Sequence, residues 1–273
     1  MNILFIGDIV GKPGRDLVRK GLRALVTRHE ISLVVANVEN SAGGFGVTRE
    51  VGEAMLDCGV EVMTSGNHVW DKKEVMEYIE AEPRLLRPAN YPQGVPGQGT
   101  YVAQATDGLE VGVINVMGRV FMANIDDPFT IGLTEATRIR HRTPIVLVDF
   151  HAEASSEKIA MGWHLDGHVT AVVGTHTHVQ TADAQILPKG TAYITDVGMT
   201  GPHDSVIGVE KEAVLKRFLT ALPARFETAT GNPKLHGVVI SADPATGRAS
   251  SIERLSLTLD DLEVLAMEIE RGD

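Results

Sequence analysis

Short apolar runs alternate with helical patterns through the first half of this chain, and that order restricts the fold more than any other feature. Residues 3–6, 31–36 and 60–64 are apolar runs of strand length. Between the first two runs, residues 16–29 place apolar side chains at the spacing of one helix face. A β-α-β-α order of this kind predicts a largely parallel sheet covered by helices. The chain is therefore predicted to be an α/β protein.

Two further helix starts are indicated by capping residues. Thr48 precedes a helical pattern through Val51 and Met55, and we expect it to accept a hydrogen bond at the N-terminus of that helix. Asp71, with Glu74 three residues later, is typical of a capping box for the next helix. Both helices continue the alternating pattern of the first half.

The second half adds hairpins and a second set of strands. The predicted hairpins pair 100–105 with 111–116 across a Thr-Asp-Gly turn, and 235–241 with 250–257 across a Pro-Ala-Thr-Gly turn. Further strands are predicted at 144–150, 169–173 and 192–195, and further helices at 155–164 and 209–222. The sequence shows no internal repeat and no clear linker, which indicates a single domain over residues 1–273 with two packed sheets.

The composition and charge exclude several classes of protein. Hydrophobic residues make up 43% and charged residues 22%, which is typical of a globular chain. The net charge of −11 argues against extended nucleic acid as a partner, because nucleic acid binds mainly to basic surfaces. No run of eighteen apolar residues is present, so no membrane association is expected.

The N-terminal residues and the cysteine content indicate the compartment. The first six residues resemble a β-strand rather than a signal peptide. The lone cysteine, Cys58, allows neither a disulfide framework nor a cysteine-based zinc site. We therefore expect a cytoplasmic protein.

Ligand-type polar residues directly follow five of the predicted strands. They stand at Gly7-Asp8, Asn37 to Asn40, Ser65 to His68, Asp149 to His151 and Gly174 to His178. In open α/β sheets, ligands bind beyond the carboxyl ends of the strands. A single Asp or His after a strand is most often part of a turn, but five such groups at equivalent positions predict a binding site.

The His176-Thr177-His178 segment is the most specific local signal. In an extended segment the two histidines point to the same side, and histidine is a common metal ligand near neutral pH. Without a metal role, they are simply two core or surface histidines. The five groups combine carboxylates, carboxamides and imidazoles without thiolates. That combination suits manganese, iron(II) or zinc better than copper(I) or an iron–sulfur cluster.

These residues resemble the motifs of the calcineurin-like metallophosphoesterases. That superfamily carries, in order, Asp-x-His, Gly-Asp, Gly-Asn-His-(Asp/Glu), a lone His and Gly-His-x-His. The matching residues here are Asp8, Glu39, Gly66-Asn67-His68, His151 and His176-x-His178. The resemblance implies a four-layer α/β/β/α sandwich of the metallophosphoesterase type.

Three longer segments resemble the YmdB-like subfamily of bacterial phosphodiesterases more specifically. They are Gly-Asp-Ile-Val-Gly from Gly7, Asn-Val-Glu-Asn-Ser-Ala-Gly-Gly-Phe-Gly from Asn37 and Thr-Asp-Val-Gly-Met-Thr-Gly-Pro from Thr195. This resemblance covers nearly the whole chain.

The chain departs from the superfamily pattern at four places. Val10 stands where the first motif has a histidine, Glu39 replaces the bridging Asp, Val69 follows Gly-Asn-His with an acid only at Asp71, and Thr175 interrupts the last Gly-His. The resemblance implies that Asn40 fills the gap left at Val10. One ion would then be bound by Asp8, Glu39, Asn40 and His178, and the other by Glu39, Asn67, His151 and His176. An amide oxygen in place of an imidazole favours iron(II) or manganese over zinc.

The implied activity is hydrolysis of small phosphodiesters such as 2',3'- or 3',5'-cyclic nucleotides. Two divalent cations, about 3.5–4 Å apart, would hold the phosphoryl oxygens and an attacking hydroxide. His68 is the predicted general acid, with a purely structural histidine as the alternative. Two other functions fit the same ligands: a metal-dependent phosphomonoesterase or nucleotidase, and a regulatory protein that binds a nucleotide with little turnover. The expected partner is a small phosphoester, and a homo-oligomer is compatible with the sequence.

Several residues near these motifs have two interpretations. Lys12 and Arg15 either contact substrate phosphate or begin a helix, and Phe45 either stacks on a base or lies in a surface loop. Asp196 is expected to orient a ligand histidine, and His203 is the alternative candidate for the acid.

Overall fold

The architecture comes from a computed structural model that describes residues 1–271. The strands are β1 (Asn2–Ile6), β2 (Asp8–Ile9), β3 (Ile31–Asn37), β4 (Val62–Thr64), β5 (Thr100–Gln104), β6 (Glu110–Met117), β7 (Val146–His151), β8 (Ala171–Thr175), β9 (Gln185–Ile186), β10 (Ala192–Ile194), β11 (Met199–Pro202), β12 (Pro233–Ala242) and β13 (Ala249–Thr258). The helices are α1 (Gly11–Arg28), α2 (Arg49–Asp57), α3 (Val75–Ala81), α4 (Pro128–Arg140), α5 (Ser155–Leu165), α6 (Lys211–Thr220) and α7 (Leu259–Arg271).

The strands form two sheets with parallel centres. The first has the order β2-β11-β12-β1-β3-β4, with β13 paired to β12, and β1, β3 and β4 run parallel. The second has the order β5-β6-β7-β8-β10-β9, in which β6, β7, β8 and β10 run parallel. The alternating strands and helices of the first half thus produce the parallel arrangement that the sequence predicts.

Three apolar clusters separate four layers. Between the sheets, Phe5 and Val35 belong to the same buried cluster as Leu147 and Val173. The outer face of the first sheet packs on α1, α2, α3 and α7, through side chains such as Leu22. The outer face of the second sheet packs on α4 and α5. The predicted α/β/β/α sandwich is confirmed.

Most predicted elements are present, and one predicted cap is wrong. Both hairpins form, and Thr48 caps α2 by accepting a hydrogen bond from the backbone N–H of Val51. The capping box is not formed, because α3 begins after Glu74 without a side-chain cap. Asp71 instead places Oδ2 2.8 Å from Nδ1 of His68.

Two helix boundaries differ from the prediction. The first helix begins at Gly11 rather than residue 16, since Gly11 adopts a φ of +58° at the turn and Pro13 fits the first turn of a helix. The helix predicted over 209–222 covers only Lys211–Thr220.

The single domain predicted over 1–273 stays a prediction, and its last two residues lie outside the described range. Within residues 1–271, none of the helices has the length and hydropathy that crossing a membrane requires.

Two histidines are buried together near the start of β12. The rings of His203 and His236 are 4.5 Å apart, and Nε2 of His203 and Nδ1 of His236 are buried without a hydrogen-bond partner. Burial, assisted by the neighbouring charge of His203, lowers the pKa of His236 from its ordinary 6.5 to about 4. The fold therefore holds His236 in its neutral form.

We expect His236→Gln to make the protein less sensitive to acid. A depressed pKa in the folded state gives stability that is complete above about pH 6.5 and is lost as the pH falls toward about 4. The free energy of unfolding of the wild type should fall by about 2 kcal/mol more than that of the variant between pH 7 and pH 4.5. Urea unfolding at both pH values measures this difference, and equal losses in the two proteins would contradict it.

Candidate metal centre

The inner faces of the two sheets change from apolar to polar where the parallel strands end. Side chains alternate between faces along a strand. The inward rows are Leu33, Val35 and Asn37 on β3, Val62 and Thr64 on β4, Leu147, Asp149 and His151 on β7, and Val173 and Thr175 on β8. Their apolar members form the core between the sheets. The polar members meet at one end of that core, as the strand-end pattern predicts.

Asp149 is the centre of this polar layer. Its carboxylate accepts hydrogen bonds from Thr64 at 2.5 Å and Asn37 at 3.0 Å in the first sheet, and from Thr175 at 2.7 Å in its own sheet. Burial raises the pKa of Asp149 to about 6, although the charge of His151 and the hydrogen bonds oppose the rise. Asp149 therefore joins the two sheets beneath His151.

The same network sets the orientation of His151. The hydroxyl of Thr175 donates to Asp149 and lies 2.9 Å from Nδ1 of His151. Because that hydroxyl has its proton engaged, it accepts from the ring, which places the imidazole proton on Nδ1. Nε2 of His151 is left as the atom that can bind a metal.

Three further ligand atoms surround Nε2 of His151. Oε1 of Glu39 lies 3.1 Å away, Oδ1 of Asn67 3.0 Å and Nδ1 of His176 3.1 Å. Glu39, His151 and His176 have ligand atoms that all lie within 4.8 Å of one another. The structure thus brings together all four residues that the sequence predicts for one ion.

Gly66 makes this close approach possible. A Cβ on Gly66 would lie 2.1 Å from Cδ2 of His151, well inside van der Waals contact. Any side chain at this position would push the turn that carries Asn67 away from the ring. The glycine of the Gly-Asn-His segment is therefore required by packing against His151.

Asp8 lies near Nδ1 of His151 and the backbone of His176. It stands in β2, and its Oδ2 accepts a hydrogen bond from the backbone N–H of His176 at 3.2 Å. Its Oδ1 is 3.9 Å from Nδ1 of His151 and has no hydrogen-bond partner although it is buried. Asp8 therefore lies farther from His151 than Glu39 does.

Asn40 and His178 line the cleft beside Glu39. Asn40 donates through Nδ2 to the carbonyl of Gly44, while its buried Oδ1 has no partner. Nδ1 of His178 lies 2.8 Å from the carbonyl oxygen of Ile207, which leaves Nε2 available. Each side chain is thus held through one atom and keeps its best ligand atom free.

These donors fit divalent cations. A buried acceptor without a partner costs free energy, and the Oδ1 atoms of Asp8 and Asn40 are both in that position. Burial would lower the pKa of His151, but the charge of Glu39 outweighs it and raises the pKa to about 9. The pKa of Glu39 would likewise rise on burial, yet the charge of His151 holds it at about 2. The Glu39 carboxylate therefore stabilises positive charge at His151, whereas burial and the charge of His151 lower the pKa of His176 to about 3 and keep that imidazole neutral, as a metal ligand must be.

A buried ion pair between Lys158 and Asp196 holds the loop that carries His176 and His178. Nζ of Lys158 donates to the carboxylate of Asp196 at 2.7 Å and to the carbonyl of Thr175 at 2.6 Å. Asp196 also accepts from the N–H and the hydroxyl of Thr177. Both histidines adopt positive φ, which is strained for a residue with a side chain. The ion pair offsets that strain because it fixes Thr175 and Thr177, the residues next to the two histidines.

His68 stands between Glu39 and the open cleft. Its backbone N–H donates to Oε2 of Glu39 at 3.1 Å, and its ring lies 5.0 Å from that of Phe45. Asp71 binds Nδ1 and so leaves Nε2 of His68 free. The acid that the superfamily pattern places next to Gly-Asn-His is displaced to Asp71, yet it still contacts this histidine.

The cleft has a volume of about 350 Å³ and two kinds of wall. Its polar side includes Glu39, Asn40, His68, Glu153, His176 and His178, and its apolar side includes Val10, Phe45, Ile207 and Val209. Lys12 pairs with Asp16 on α1, and Arg15 donates to the carbonyl of Ser41. Both positive charges are thus engaged within the fold.

The structure shows several supporting residues that the sequence analysis does not identify. Thr175, Lys158 and Glu153 have no assigned role there, Asp149 is named only as a member of a strand-end group, and Asp71 is interpreted as a helix cap. Oε2 of Glu153 lies 2.9 Å from Nε2 of His176. Asp149 has a usable signal, since it is a charged residue two positions before His151 on the same strand face. Nothing in the sequence distinguishes Lys158 from any other lysine in a helix.

Comparison with known proteins agrees with this geometry. The profile of the family described as YmdB-like protein matches residues 4–255. A 2',3'-cyclic-nucleotide 2'-phosphodiesterase of Bacillus subtilis is 51% identical over 261 residues, which cover 95% of this chain and 98% of that protein.

Two crystal structures have the same fold. A hypothetical protein from Thermus thermophilus superposes with a TM-score of 0.87 at 43% identity, over 94% of this chain and 99% of its own. A novel phosphatase from Mycoplasma pneumoniae has a TM-score of 0.87 at 33% identity, over 94% of this chain and 93% of its own.

We expect Lys158→Met to weaken both the fold and metal binding. Removing one partner of a buried ion pair leaves a charge without compensation and typically costs about 3–5 kcal/mol. Denaturant unfolding and metal titration of the variant should show lower stability and lower metal affinity. Lys211→Met removes an exposed pair with Asp204 and should leave both quantities near the wild type. Wild-type metal affinity in Lys158→Met would show that the ion pair does not support the histidine loop.

Glu39→Ala should lose most of the metal from both positions, whereas Asp8→Ala should mainly lose one ion. Glu39 contacts His151, and the resemblance to the metallophosphoesterases implies that it belongs to both predicted ligand sets. Elemental analysis of the purified variants gives the metal-to-protein ratio. Glu227→Ala removes a carboxylate from the same cleft and is expected to keep both ions. Two tightly held ions in Glu39→Ala would show that this carboxylate is not shared.

Proposed function

We propose that the substrates of this protein are 2',3'-cyclic nucleotides. The chain belongs to the YmdB-like family of the metallophosphoesterase superfamily and is a metal-dependent phosphodiesterase. The observation that carries the proposal is the position of His68, which is free at Nε2 beside the compact group of Glu39, His151 and His176. The name of the Bacillus subtilis relative supports the choice of the cyclic phosphodiester.

We further propose how the ligands divide between two divalent ions. Asn67, His151 and His176 would hold one ion and Asp8, Asn40 and His178 the other, with Glu39 shared. Two buried acceptors without partners support the second group, and the contacts around Nε2 of His151 support the first. When bound, the ions supply the positive charge that neutralises phosphate oxygens and activates water as a nucleophile.

Iron(II) or manganese is the proposed metal. The donor set mixes imidazole nitrogen with carboxylate and amide oxygen, which suits these ions, whereas magnesium prefers oxygen ligands and water. The cytoplasm is the proposed location, because the lone Cys58 requires no oxidising compartment.

The residues of the cleft have separate tasks in the proposed reaction. The two histidines of the 176–178 loop are held in place by the Lys158–Asp196 pair, so the ligand positions are fixed before substrate arrives. His68 would donate a proton from Nε2 to the leaving oxygen, and Asp71 stabilises the charged ring through Nδ1.

The apolar side of the cleft supports a nucleotide rather than a bare phosphoester. Phe45 lies against His68, and Ile207 and Val209 line the same cleft. An aromatic face beside a phosphate site can stack on a base. We propose that this wall receives the nucleobase while the cyclic phosphate lies over the metal ligands.

A substrate panel tests the function. With iron(II) or manganese, the protein should hydrolyse 2',3'-cyclic nucleotides with a higher kcat/KM than 3',5'-cyclic nucleotides or a nucleoside monophosphate. A strong chelator should abolish all activity, and magnesium should restore less of it than iron(II) or manganese. Preference for the monophosphate would favour a phosphomonoesterase, and tight nucleotide binding without turnover would favour a regulatory protein.

His68→Ala should lose far more activity on a cyclic nucleotide than on a nitrophenyl diester. A ribose alkoxide is a poor leaving group that needs a proton, and a general acid typically contributes about 100- to 10,000-fold. A nitrophenolate leaves without that help. The measurement is kcat on both substrates, with metal content determined in parallel.

Asp71→Asn provides the matched variant for this comparison. It keeps the His68 ring and should lose activity in the same direction but by a smaller factor, because the amide supports the charged ring less well. Equal losses on both substrates, with both metals retained, would show that His68 does not act as the acid.

A further inference from the structure

A two-residue hairpin turn at residues 206–209 forms part of the cleft wall. Val206 and Val209 exchange backbone hydrogen bonds of 2.9 and 3.0 Å. Between them, Ile207 and Gly208 adopt φ values of +47° and +98°. Positive φ at both central residues is the mark of a type I′ turn, in which Asn-Gly is strongly preferred. The sequence of this turn is instead Ile-Gly.

Ile207 is poorly suited to the conformation that it adopts. Seven non-glycine residues within 1–271 have a positive φ, and Ile207 is the β-branched one among them, which makes it a genuine outlier. Strain of this kind persists only where the surrounding structure enforces it. Here the N–H of Gly208 donates to the hydroxyl of Ser205, and the N–H of Ala229 donates to the carbonyl of Gly208, both at 2.9 Å. The fold therefore imposes on Ile207 a conformation that Asn or Gly would adopt with less strain.

The backbone of Ile207 has a task that does not require an isoleucine. Its carbonyl accepts the hydrogen bond from Nδ1 of His178 at 2.8 Å. Asn or Gly at position 207 would keep the same turn and so the same carbonyl position. The contact with His178 accounts for the turn but not for the side chain in it.

The side chain of Ile207 faces the cleft rather than the core. It is 53% exposed and lines the same cavity as Phe45 and His68. Ile207 belongs to none of the three apolar clusters that the described residues form. Its methyl groups therefore contribute little to folding, whereas a ligand that covered them would gain from the removal of apolar surface from water.

We propose that Ile207 is a specificity-determining residue whose side chain contacts the nucleobase of the substrate. The inference rests on the proposed function, in which the apolar wall of the cleft receives a base. An Asn-Gly turn would be relaxed but would present a polar amide to the base, and a Gly-Gly turn would present no side chain. The strained Ile-Gly turn thus gives up some stability in favour of substrate binding.

Ile207→Asn tests the proposal because it should raise the Tm and the KM together. Relief of the strain should raise the Tm by about 2–4 °C. The KM for a 2',3'-cyclic nucleotide should rise about tenfold with kcat nearly unchanged, since the lost contact is made equally in the ground state and the transition state. The KM for the 2',3'-cyclic phosphate of methyl riboside, which has no base, should stay at the wild-type value. Ile207→Gly should behave in the same way.

Glu30→Asn is the matched control for the relief of strain. Glu30 also has a positive φ, of +49°, but it lies between α1 and β3 and does not line the cleft. Its replacement should raise the Tm without changing either KM.

Three results would overturn the assignment of Ile207. They are a higher Tm with a wild-type KM for the nucleotide, an equal rise in KM for both substrates, and a lower Tm in both Ile207 variants. A wild type that does not distinguish the nucleotide from the substrate without a base would contradict the proposed base-binding wall itself, and this inference with it.

Discussion

The buried carboxylate of Asp149 is the interaction on which the rest of the site depends. It accepts hydrogen bonds from Thr64 and Asn37 of one sheet and from Thr175 of the other. The two sheets pack through apolar side chains along most of their length, and this carboxylate joins them at the point where the parallel strands end. Because Thr175 also binds Nδ1 of His151, the contact between sheets fixes the orientation of the central imidazole.

The same arrangement favours function over stability. The burial of the Asp149 carboxylate, the three buried oxygens of Asp8, Glu39 and Asn40 without hydrogen-bond partners and the two histidines at positive φ all cost folding free energy. The large apolar cores on both faces of each sheet offset these costs. The buried Lys158–Asp196 pair also holds the histidine loop through Thr175 and Thr177. A bound cation would give the unpartnered oxygens a partner and so remove that part of the cost.

The predictions from sequence succeed where chemistry restricts the residue type. A metal ligand must be a carboxylate, amide or imidazole, so Glu39, Asn67, His151 and His176 can be recognised at the strand ends, and the structure brings them together. Residues that hold the ligands in place are harder to identify, because many residue types can form the hydrogen bonds that this requires. The spacing of Asp71 and Glu74 is that of a helix cap, but which donor Asp71 contacts depends on where the fold places His68. Lys158 is an ordinary helix residue until its partner, 38 positions away, is known.

In the proposed site, two ions would share Glu39 at the meeting point of the two sheets. The most direct measurement is anomalous diffraction from crystals of the protein loaded with manganese. Two anomalous peaks should appear, one beside Asn67, His151 and His176 and one beside Asp8, Asn40 and His178. Both peaks should be in contact with Glu39. A single peak, or a pair of peaks of which only one touches Glu39, would contradict the account.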